Sequence, residues 1–310
     1  MIAIESRRID LPSAPGTPQR WLNCRVAGPE AAPLLVFLHG FPEAAFVWDD
    51  VLRRFGTQWR CVAPNLRGYA GSYAPAEVEA YRAHHLIADV VDLIDVFGGQ
   101  AAAVVAHDWG GALGWGLAIQ HPQKLQRLVM LNSPHPGVFL RTLRDDPAQQ
   151  AASAYMNLLR APDAESVLSA GNFTPMWDFF TRFGGATWLT EALRSQYRST
   201  WAAGLSGPLN WYRASPLYPP TSPDDPVHKL KLPDELLRVQ VPTTVIWGEG
   251  DTALLPCQLE GLADYVPVLD IVRLPDATHW LLHEQPQAVG DAIEAALPAA
   301  RRKAGRRLGG

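Results

Sequence analysis

Short runs of apolar residues alternate with longer amphipathic stretches in two parts of the chain, which are separated by an irregular middle. The short runs are bounded by turn residues, as is typical of strands buried in a sheet. The longer stretches repeat apolar positions at helical spacing. Because strands and helices alternate, the pattern predicts a parallel sheet flanked by helices. The predicted strands are residues 34–38, 61–63, 101–105, 128–131, 243–247 and 269–273, and the predicted helices are residues 84–97, 110–120, 257–265 and 286–296.

The middle of the chain, residues 134–236, lacks strand-like runs and consists of short segments broken by Pro and Gly. A helical lid inserted there would lie over the carboxyl edge of the sheet, where open α/β folds bind ligands. We therefore expect a core at residues 1–133 and 237–300, a lid at residues 134–236, and a disordered basic tail at residues 301–310. The aromatic residues of the lid include Tyr155, Phe173, Trp177, Phe179, Phe180, Phe183, Trp188, Trp201 and Trp211.

The composition and charge of the chain favour a globular protein that acts on a small uncharged partner. Of 310 residues, 47% are hydrophobic, and the formal net charge of −4 at pH 7 gives no attraction to nucleic acid or anionic membranes. The N-terminal segment lacks the apolar run of a secretory signal, and no stretch approaches the roughly 18 apolar residues of a membrane span. Three irregularly spaced cysteines suit a reducing compartment, so we expect a cytoplasmic protein. The oligomeric state is left open, with a homodimer as one option.

The clearest chemical motif is a strand that runs directly into a helix through an acid flanked by small residues. Asp108 lies between Ala106 and the pair Gly110-Gly111, which is the spacing of a nucleophile elbow. An Asp here can also be a helix cap without chemistry. An elbow, however, holds its central side chain above the sheet, and an ionised carboxylate attacks saturated carbon, whereas its attack on an ester or amide carbonyl gives only an anhydride. The motif therefore predicts that Asp108 is a nucleophile for substrates with a displaceable group on saturated carbon.

A second motif, His39-Gly40-Phe41-Pro42, follows the first predicted strand. Gly40 permits a sharp turn and Pro42 stiffens it, so the N–H of Phe41 is predicted to point toward the nucleophile. Together with the N–H of Trp109, it would form an oxyanion hole in which each donor contributes roughly 3–4 kcal/mol. The two motifs therefore predict one site at the carboxyl edge of the sheet.

Two residues beyond the lid complete the predicted catalytic set. Asp251 follows one late strand and His279 follows the next, and the order nucleophile, acid, histidine recurs in hydrolases with this kind of elbow. His279 would take a proton from water, while Asp251 would fix its tautomer and stabilise the imidazolium. Glu249 is the alternative acid. The histidines show no metal-ligand spacing, so we expect neither a metal nor a cofactor.

Taken together, residues 39–286 resemble the epoxide hydrolases of the α/β-hydrolase fold, with the haloalkane dehalogenases as their nearest mechanistic relatives. The resemblance implies an α/β fold with a mostly parallel, eight-stranded sheet flanked by helices and an inserted helical cap. It also implies a covalent ester on the aspartate, which activated water then hydrolyses to a vicinal diol. The expected partners are water and a small apolar epoxide. The residues expected to line the substrate pocket are His39, Pro42, Trp109, Trp211 and Trp280.

Epoxide hydrolases of this family carry two lid tyrosines that hold the epoxide oxygen, and the resemblance assigns these roles to Tyr212 and Tyr155. Tyr212 lies in the string Asn-Trp-Tyr-Arg that is typical of the family. The other family tyrosine lies five residues before a Gln, and here Tyr155 precedes Arg160 instead. Ala106 in place of the more usual Gly is a second, milder departure. Opening an epoxide places negative charge on oxygen, which a phenol can protonate.

Three other functions are compatible with parts of this pattern. A haloalkane dehalogenase would use the same Asp108, Asp251 and His279 but would make no use of the lid tyrosines, because a halide needs no proton. Dehalogenation of fluoroacetate is disfavoured, because that relative has Arg where this chain has Trp109. A hydrolase-like binding protein without turnover is the alternative from another class, and the competent residues at all three catalytic positions disfavour it.

Overall fold

The computed structural model describes residues 2–13 and 15–298, in which eight strands form one sheet. The strands are β1 (Glu5–Leu11), β2 (Arg20–Ala27), β3 (Leu34–Leu38), β4 (Arg60–Pro64), β5 (Ala101–His107), β6 (Leu128–Leu131), β7 (Thr243–Gly248) and β8 (Leu269–Leu274). Their order is β1-β2-β4-β3-β5-β6-β7-β8, with β2 antiparallel to both of its neighbours and the remaining pairs parallel. The predicted mostly parallel, eight-stranded fold is therefore confirmed. The basic tail predicted at residues 301–310 lies outside the described residues.

The central strands are apolar over nearly their whole length and are buried on both faces. Strands β3, β5 and β6 have the sequences LLVFL, AAAVVAH and LVML, and every residue in them is buried. Helices cover both faces of a parallel sheet, so its strands do not alternate between apolar and polar residues. Edge strand β1 has the sequence ESRRIDL and buries only Ile9 and Leu11.

Among the described residues, the α-helices are α1 (Asp49–Phe55), α2 (Ala83–Val96), α3 (Asp108–Gln120), α4 (Pro136–Asp145), α5 (Pro147–Ala152), α6 (Tyr155–Arg160), α7 (Ala164–Arg182), α8 (Glu191–Ala202), α9 (Ser206–Ala214), α10 (Leu281–Glu284) and α11 (Pro286–Ala296). Helix α2 buries Leu86, Val90 and Leu93, which recur at helical spacing along one face. Each helix in this part of the chain is too short or too polar to span a membrane.

Helices α4 to α9 all lie between β6 and β7 in the chain, which is where the sequence predicts a lid. We use the word lid for these helices, and the division at residues 134–236 stays a prediction. Helix α7 is interrupted by consecutive left-handed residues at positions 171–173. The insertion therefore enters at the carboxyl end of one central strand and returns into the next strand of the sheet, above the edge that holds the elbow.

Lid helix α9 is attached to the core through the loop that follows β4. The indole N–H of Trp211 donates to the carbonyl oxygen of Arg67 at 2.9 Å. Arg67 is itself buried in a bidentate pair with Asp89, at 2.6 and 2.7 Å. A Cβ on Gly207 would lie 2.3 Å from the carbonyl oxygen of Gly68, so the two backbones touch only because glycine is present. This attachment fixes the position of the residue after Trp211, which is Tyr212.

Two parts of the fold differ from the sequence-based expectations. Strands β1 and β2 lack the apolar run that marks a buried strand, so the sequence does not predict them. β1 is mostly exposed and charged, and in β2 half-buried polar residues interrupt the buried positions. The helix predicted at residues 257–265 was wrong, since the chain forms two short 3-10 turns there, Pro256–Leu259 and Leu262–Asp264. Gly261 between them has a φ of 72°, a left-handed conformation that ends a helix.

Candidate active site

Strand β5 passes directly into helix α3 at Asp108, whose φ of 51° lies in the left-handed region. That conformation is strained for a residue with a side chain, and such strain is concentrated at functional sites. A Cβ on Gly40 would lie 2.3 Å from the Cβ of Asp108, and one on Gly110 would lie 2.4 Å from the carbonyl oxygen of Leu38. Both positions therefore require glycine, and the elbow forms because these neighbours leave space for it.

The two oxygens of the Asp108 carboxylate have different partners. The N–H of Phe41 donates to Oδ1 at 2.8 Å, and Oδ2 lies 3.7 Å from Nε2 of His279. Trp109, the other predicted donor, is the second residue of α3, and N–H groups in the first turn of a helix have no carbonyl partner within it. The helix N-terminus also favours negative charge. One oxygen is thus held by the predicted oxyanion loop, while the other faces the histidine.

The structure brings Asp251 and His279 together beside the elbow. Nδ1 of His279 lies 2.7 Å from Oδ2 of Asp251, which requires a proton on Nδ1 and turns Nε2 toward Asp108. The N–H groups of Ala253 and Leu254 donate to Oδ1 of Asp251 at 2.8 and 2.9 Å. The side-chain amide of Asn132 donates to Oδ2 at 2.6 Å. The acid is therefore held from several sides, and Asn132 is a contributor that the sequence did not reveal.

Glu249, the alternative acid, has a different partner. Its carboxylate pairs with Arg273 at 2.7 Å, and both side chains are at least one-third exposed. The carboxylate that contacts the imidazole is that of Asp251, which is fully buried.

The two predicted lid tyrosines lie side by side within a shell of aromatic rings. Their ring centroids are 6.4 Å apart. Tyr212 contacts the rings of Phe41 and Trp109, at 5.4 and 5.0 Å, so it lies against both residues of the predicted oxyanion hole. Tyr155 contacts Phe183 at 5.0 Å. The phenols are therefore placed on the lid side of the elbow, in apolar surroundings.

The environment keeps both phenols protonated. Burial is the largest cause that raises the pKa of Tyr155, and the charges of Asp108 and Asp251 raise it further. Burial also raises the pKa of Tyr212 well above its usual value, with contributions from Tyr155 and Asp108. Since Asp108 acts on both hydroxyls, both lie within its electrostatic reach. At neutral pH the two side chains are hydrogen-bond donors.

Comparison with known proteins agrees with this geometry. A family described as alpha/beta hydrolase fold matches residues 33–286. Epoxide hydrolase 4 of Mus musculus is 33% identical over 280 residues, covering 87% of this chain and 74% of that protein. The chain belongs to the epoxide hydrolase family of the α/β-hydrolase fold. It is 31% identical over 276 residues to the AB hydrolase superfamily protein YfhM of Bacillus subtilis (strain 168), covering 88% of this chain and 92% of that one.

Solved structures of epoxide hydrolases superpose on nearly the whole chain. One, described as a novel epoxide hydrolase from metagenomes of hot environments, has a TM-score of 0.85 at 37% identity and covers 96% of this chain and 99% of its own. The Bacillus megaterium epoxide hydrolase, solved with an inhibitor, has a TM-score of 0.82 at 31% identity and covers 89% of this chain and 96% of its own. The fold and the similarity to these enzymes therefore identify this member of the epoxide hydrolase family as a hydrolase.

The residues predicted to line the substrate pocket of this epoxide hydrolase family member occupy different places. Trp109 lies beside Tyr212, and Pro42 lines a narrow cleft between the oxyanion loop and the lid. His39 is fully buried, with Nδ1 near the carbonyl oxygen of Gly40 at 3.0 Å and Nε2 accepting from the N–H of Leu66 at 3.1 Å. Burial lowers the pKa of His39 to about 4, so the ring is neutral and holds the loop.

The two other predicted pocket tryptophans pack mainly against protein. The indole N–H of Trp211 donates to the carbonyl oxygen of Arg67 in the loop that follows β4, and the Trp211 ring centroid lies 5.8 Å from that of Trp109. Trp280 is buried against Phe180 at 4.7 Å and His279 at 4.9 Å. Within residues 2–13 and 15–298, no group of three His, Cys, Asp or Glu side chains is arranged to hold a metal ion.

A buried acid for which the sequence predicts no role lies behind the histidine. Oε1 of Glu43 accepts from the hydroxyl of Tyr197 and from Nε2 of His283, each at 2.7 Å. Oε2 lies 3.4 Å from Nδ1 of His107, whose Nε2 is 3.0 Å from the carbonyl oxygen of His279. Burial alone would raise the pKa of Glu43, but His283 and His107 hold it well below its usual range. The motif HGFPE therefore places a third negative charge near the imidazole.

Three carboxylates determine the protonation state of the resting histidine. Burial alone would lower the pKa of His279, but Asp251, Asp108 and Glu43 together raise it to about 9. The imidazole is therefore protonated at neutral pH while Asp108 is charged. Removing one of these negative charges would lower the pKa of the imidazole and favour its neutral form.

Proposed function

We propose that the chain hydrolyses epoxides to vicinal diols through a covalent ester on Asp108. The observation that carries the proposal is the arrangement around one carboxylate: Oδ1 accepts from Phe41, Oδ2 faces His279, and two phenols lie above within its electrostatic reach. The aromatic shell around the phenols suits a small apolar substrate. Catalysis then needs water and this substrate, without a cofactor.

The first step is alkylation of the carboxylate. Because Phe41 holds Oδ1, Oδ2 of Asp108 is the oxygen that attacks an epoxide carbon, from the side opposite the C–O bond. That bond breaks, and its electron pair stays on the epoxide oxygen, which takes a proton from a phenol. Tyr155 and Tyr212 hold this oxygen while its charge develops, and an alkoxide is a stronger base than a phenolate. The product is a hydroxyalkyl ester.

The second step is hydrolysis of that ester. Nε2 of His279 takes a proton from water, whose oxygen attacks Cγ of Asp108, and Asp251 stabilises the imidazolium. Charge on Oδ1 is held by the N–H groups of Phe41 and Trp109. The bond from Cγ to Oδ2 then breaks, and the leaving alkoxide takes the proton from the imidazolium. The carboxylic acid loses its proton, and the phenolate regains one.

Ester formation also prepares the base. Alkylation converts Asp108 into a neutral ester and so removes one of the charges that raise the pKa of His279. The pKa of the imidazole therefore falls when the intermediate forms, and the neutral form becomes available when water must be activated. The nucleophile thus controls the general base through its own charge.

This coupling predicts different pH dependences for the two steps. The rate of ester hydrolysis should increase with pH, with a midpoint below about pH 9. The rate of alkylation should stay nearly constant up to that pH, because both phenols remain protonated. Single-turnover measurements between about pH 6 and pH 10 separate the steps. In Asp108→Asn, which has the neutral charge of the ester, the NMR titration midpoint of His279 should also fall below about 9. An unchanged midpoint in this variant would contradict the coupling.

Isotope labelling tests the covalent step directly. After a single turnover in heavy-oxygen water, we expect the label in the Asp108 carboxylate, because the first diol leaves with Oδ2. Label found only in the diol would show direct attack of water on the epoxide. Mass spectrometry of the peptide that contains Asp108 provides the measurement, and an unreacted sample in the same water is the control.

A substrate panel tests the reaction class. We expect diols from terminal, aromatic or trans-disubstituted epoxides and no halide release from chloro- or bromoalkanes. Halide release without diol formation would favour a dehalogenase. Tight binding of an apolar ligand without any turnover would favour a binding protein.

A further inference from the structure

Arg160 links the two lid helices that carry the phenols. It is the last residue of α6, which begins with Tyr155, and its Nη1 donates across to helix α9 at the carbonyl oxygens of Tyr212 and Ser215, the latter at 2.8 Å. The guanidinium also lies over the ring of Tyr218, 4.0 Å from its centroid. One side chain therefore joins α6 to α9 at the backbone of a residue whose hydroxyl is proposed to hold the substrate.

Burying the guanidinium of Arg160 in the lid costs hydration free energy, and two backbone carbonyl groups offset part of that cost. Burial lowers the pKa of Arg160, which means that the charged form loses hydration in the lid. The last carbonyl groups of a helix lack partners within it and carry partial negative charge. The carbonyl of Tyr212 near the end of α9 and that of Ser215 just beyond it therefore offset part of this cost. An uncharged side chain at position 160 would not gain this stabilisation.

We propose that Arg160 is a positioning residue that sets the separation of the Tyr155 and Tyr212 hydroxyls above Asp108. This inference rests on the proposed function of the two phenols. Both must reach the same epoxide oxygen, so the placement of α6 against α9 decides whether both hydrogen bonds form. Arg213 ties α9 to helix α7 by a bidentate pair with Glu165. Loss of Arg160 would therefore loosen α9 against α6 without detaching it from the lid.

The test compares Arg160→Met with Arg160→Lys in single turnover, where alkylation and ester hydrolysis are timed separately. We expect Arg160→Met to slow alkylation about 10–100-fold and ester hydrolysis less than about 3-fold, because only the first step uses the phenols. Arg160→Lys keeps a charged donor near the carbonyls and should recover part of the alkylation rate. The control is Arg198→Gln, which removes a lid arginine that pairs with Glu191 on the same helix.

A second comparison shows whether Arg160 acts through the phenols. In a Tyr155→Phe background only one phenol remains to be placed, so adding Arg160→Met should slow alkylation less than about 3-fold further. Equal slowing of both steps, or an undiminished effect in this background, would overturn the inference, as would an unchanged alkylation rate in Arg160→Met. If Tyr155→Phe and Tyr212→Phe leave alkylation unchanged, the proposed function itself fails. Should Arg160→Met not fold, Arg160→Leu, which also lacks a donor, is judged by the same outcomes.

Discussion

Replacing Asp108 with Asn is expected to abolish diol formation, with kcat falling by about 10⁴-fold or more. The amide has nearly the same shape as the carboxylate, and its oxygen can still accept the N–H of Phe41. It has no negative charge, however, so it does not attack saturated carbon. Diol release from an epoxide that the wild-type enzyme turns over, measured by chromatography, gives the rate.

The matched control for this variant is Asp178→Asn, which removes the charge of an exposed carboxylate on helix α7. It should retain nearly full activity. Binding of an unreactive apolar amide, measured by fluorescence, should persist in Asp108→Asn and show that the pocket is intact. If Asp108→Asn turned over epoxide at a rate close to that of the wild type, the nucleophile would be another group or water itself.

The core of the fold can be predicted from the sequence because its strands are buried on both faces. Strand β3 is predicted at residues 34–38 and observed at Leu34–Leu38, since an unbroken apolar run between turn residues has few other structures available to it. Strand β1 has no such signal, because it lies at the edge and is held by backbone pairing with β2 rather than by apolar side chains. The pattern of apolar residues in a sequence indicates which segments are buried, and little of strand β1 is buried.

The residues of the candidate site likewise include some that the sequence indicates and some that it does not. Asp108, Asp251 and His279 could be singled out because each follows a strand and together they have the chain order nucleophile, acid, histidine that recurs in hydrolases with this kind of elbow. Asn132 and Glu43 could not, because their importance lies in contacts over long separations in the chain. Asn132 bonds to a residue 119 positions later, and Glu43 bonds to one 240 positions later. The sequence contains such residues but does not show which of them meet.

In the His279→Gln variant, we expect alkylation to proceed and ester hydrolysis to nearly stop, so that each enzyme molecule opens one epoxide. Alkylation needs only the Asp108 carboxylate and the phenols, whereas ester hydrolysis loses its base and should slow by about 10²–10⁴-fold. The ester should therefore accumulate on the peptide that contains Asp108. Intact-protein mass spectrometry within minutes of mixing measures this adduct, and His228→Gln, which changes an exposed histidine, should show none.

The mass of that adduct also identifies the chemistry. Ring opening transfers every atom of the epoxide to Asp108, so the protein should gain the full mass of the substrate, while displacement of a halide would add the substrate less the hydrogen halide. The adduct should disappear in the double variant with Asp108→Asn, because the amide that replaces the carboxylate does not attack saturated carbon. An inactive His279→Gln enzyme without any adduct would mean that the histidine is needed before the ester forms, and the order of steps proposed for this site would then be wrong.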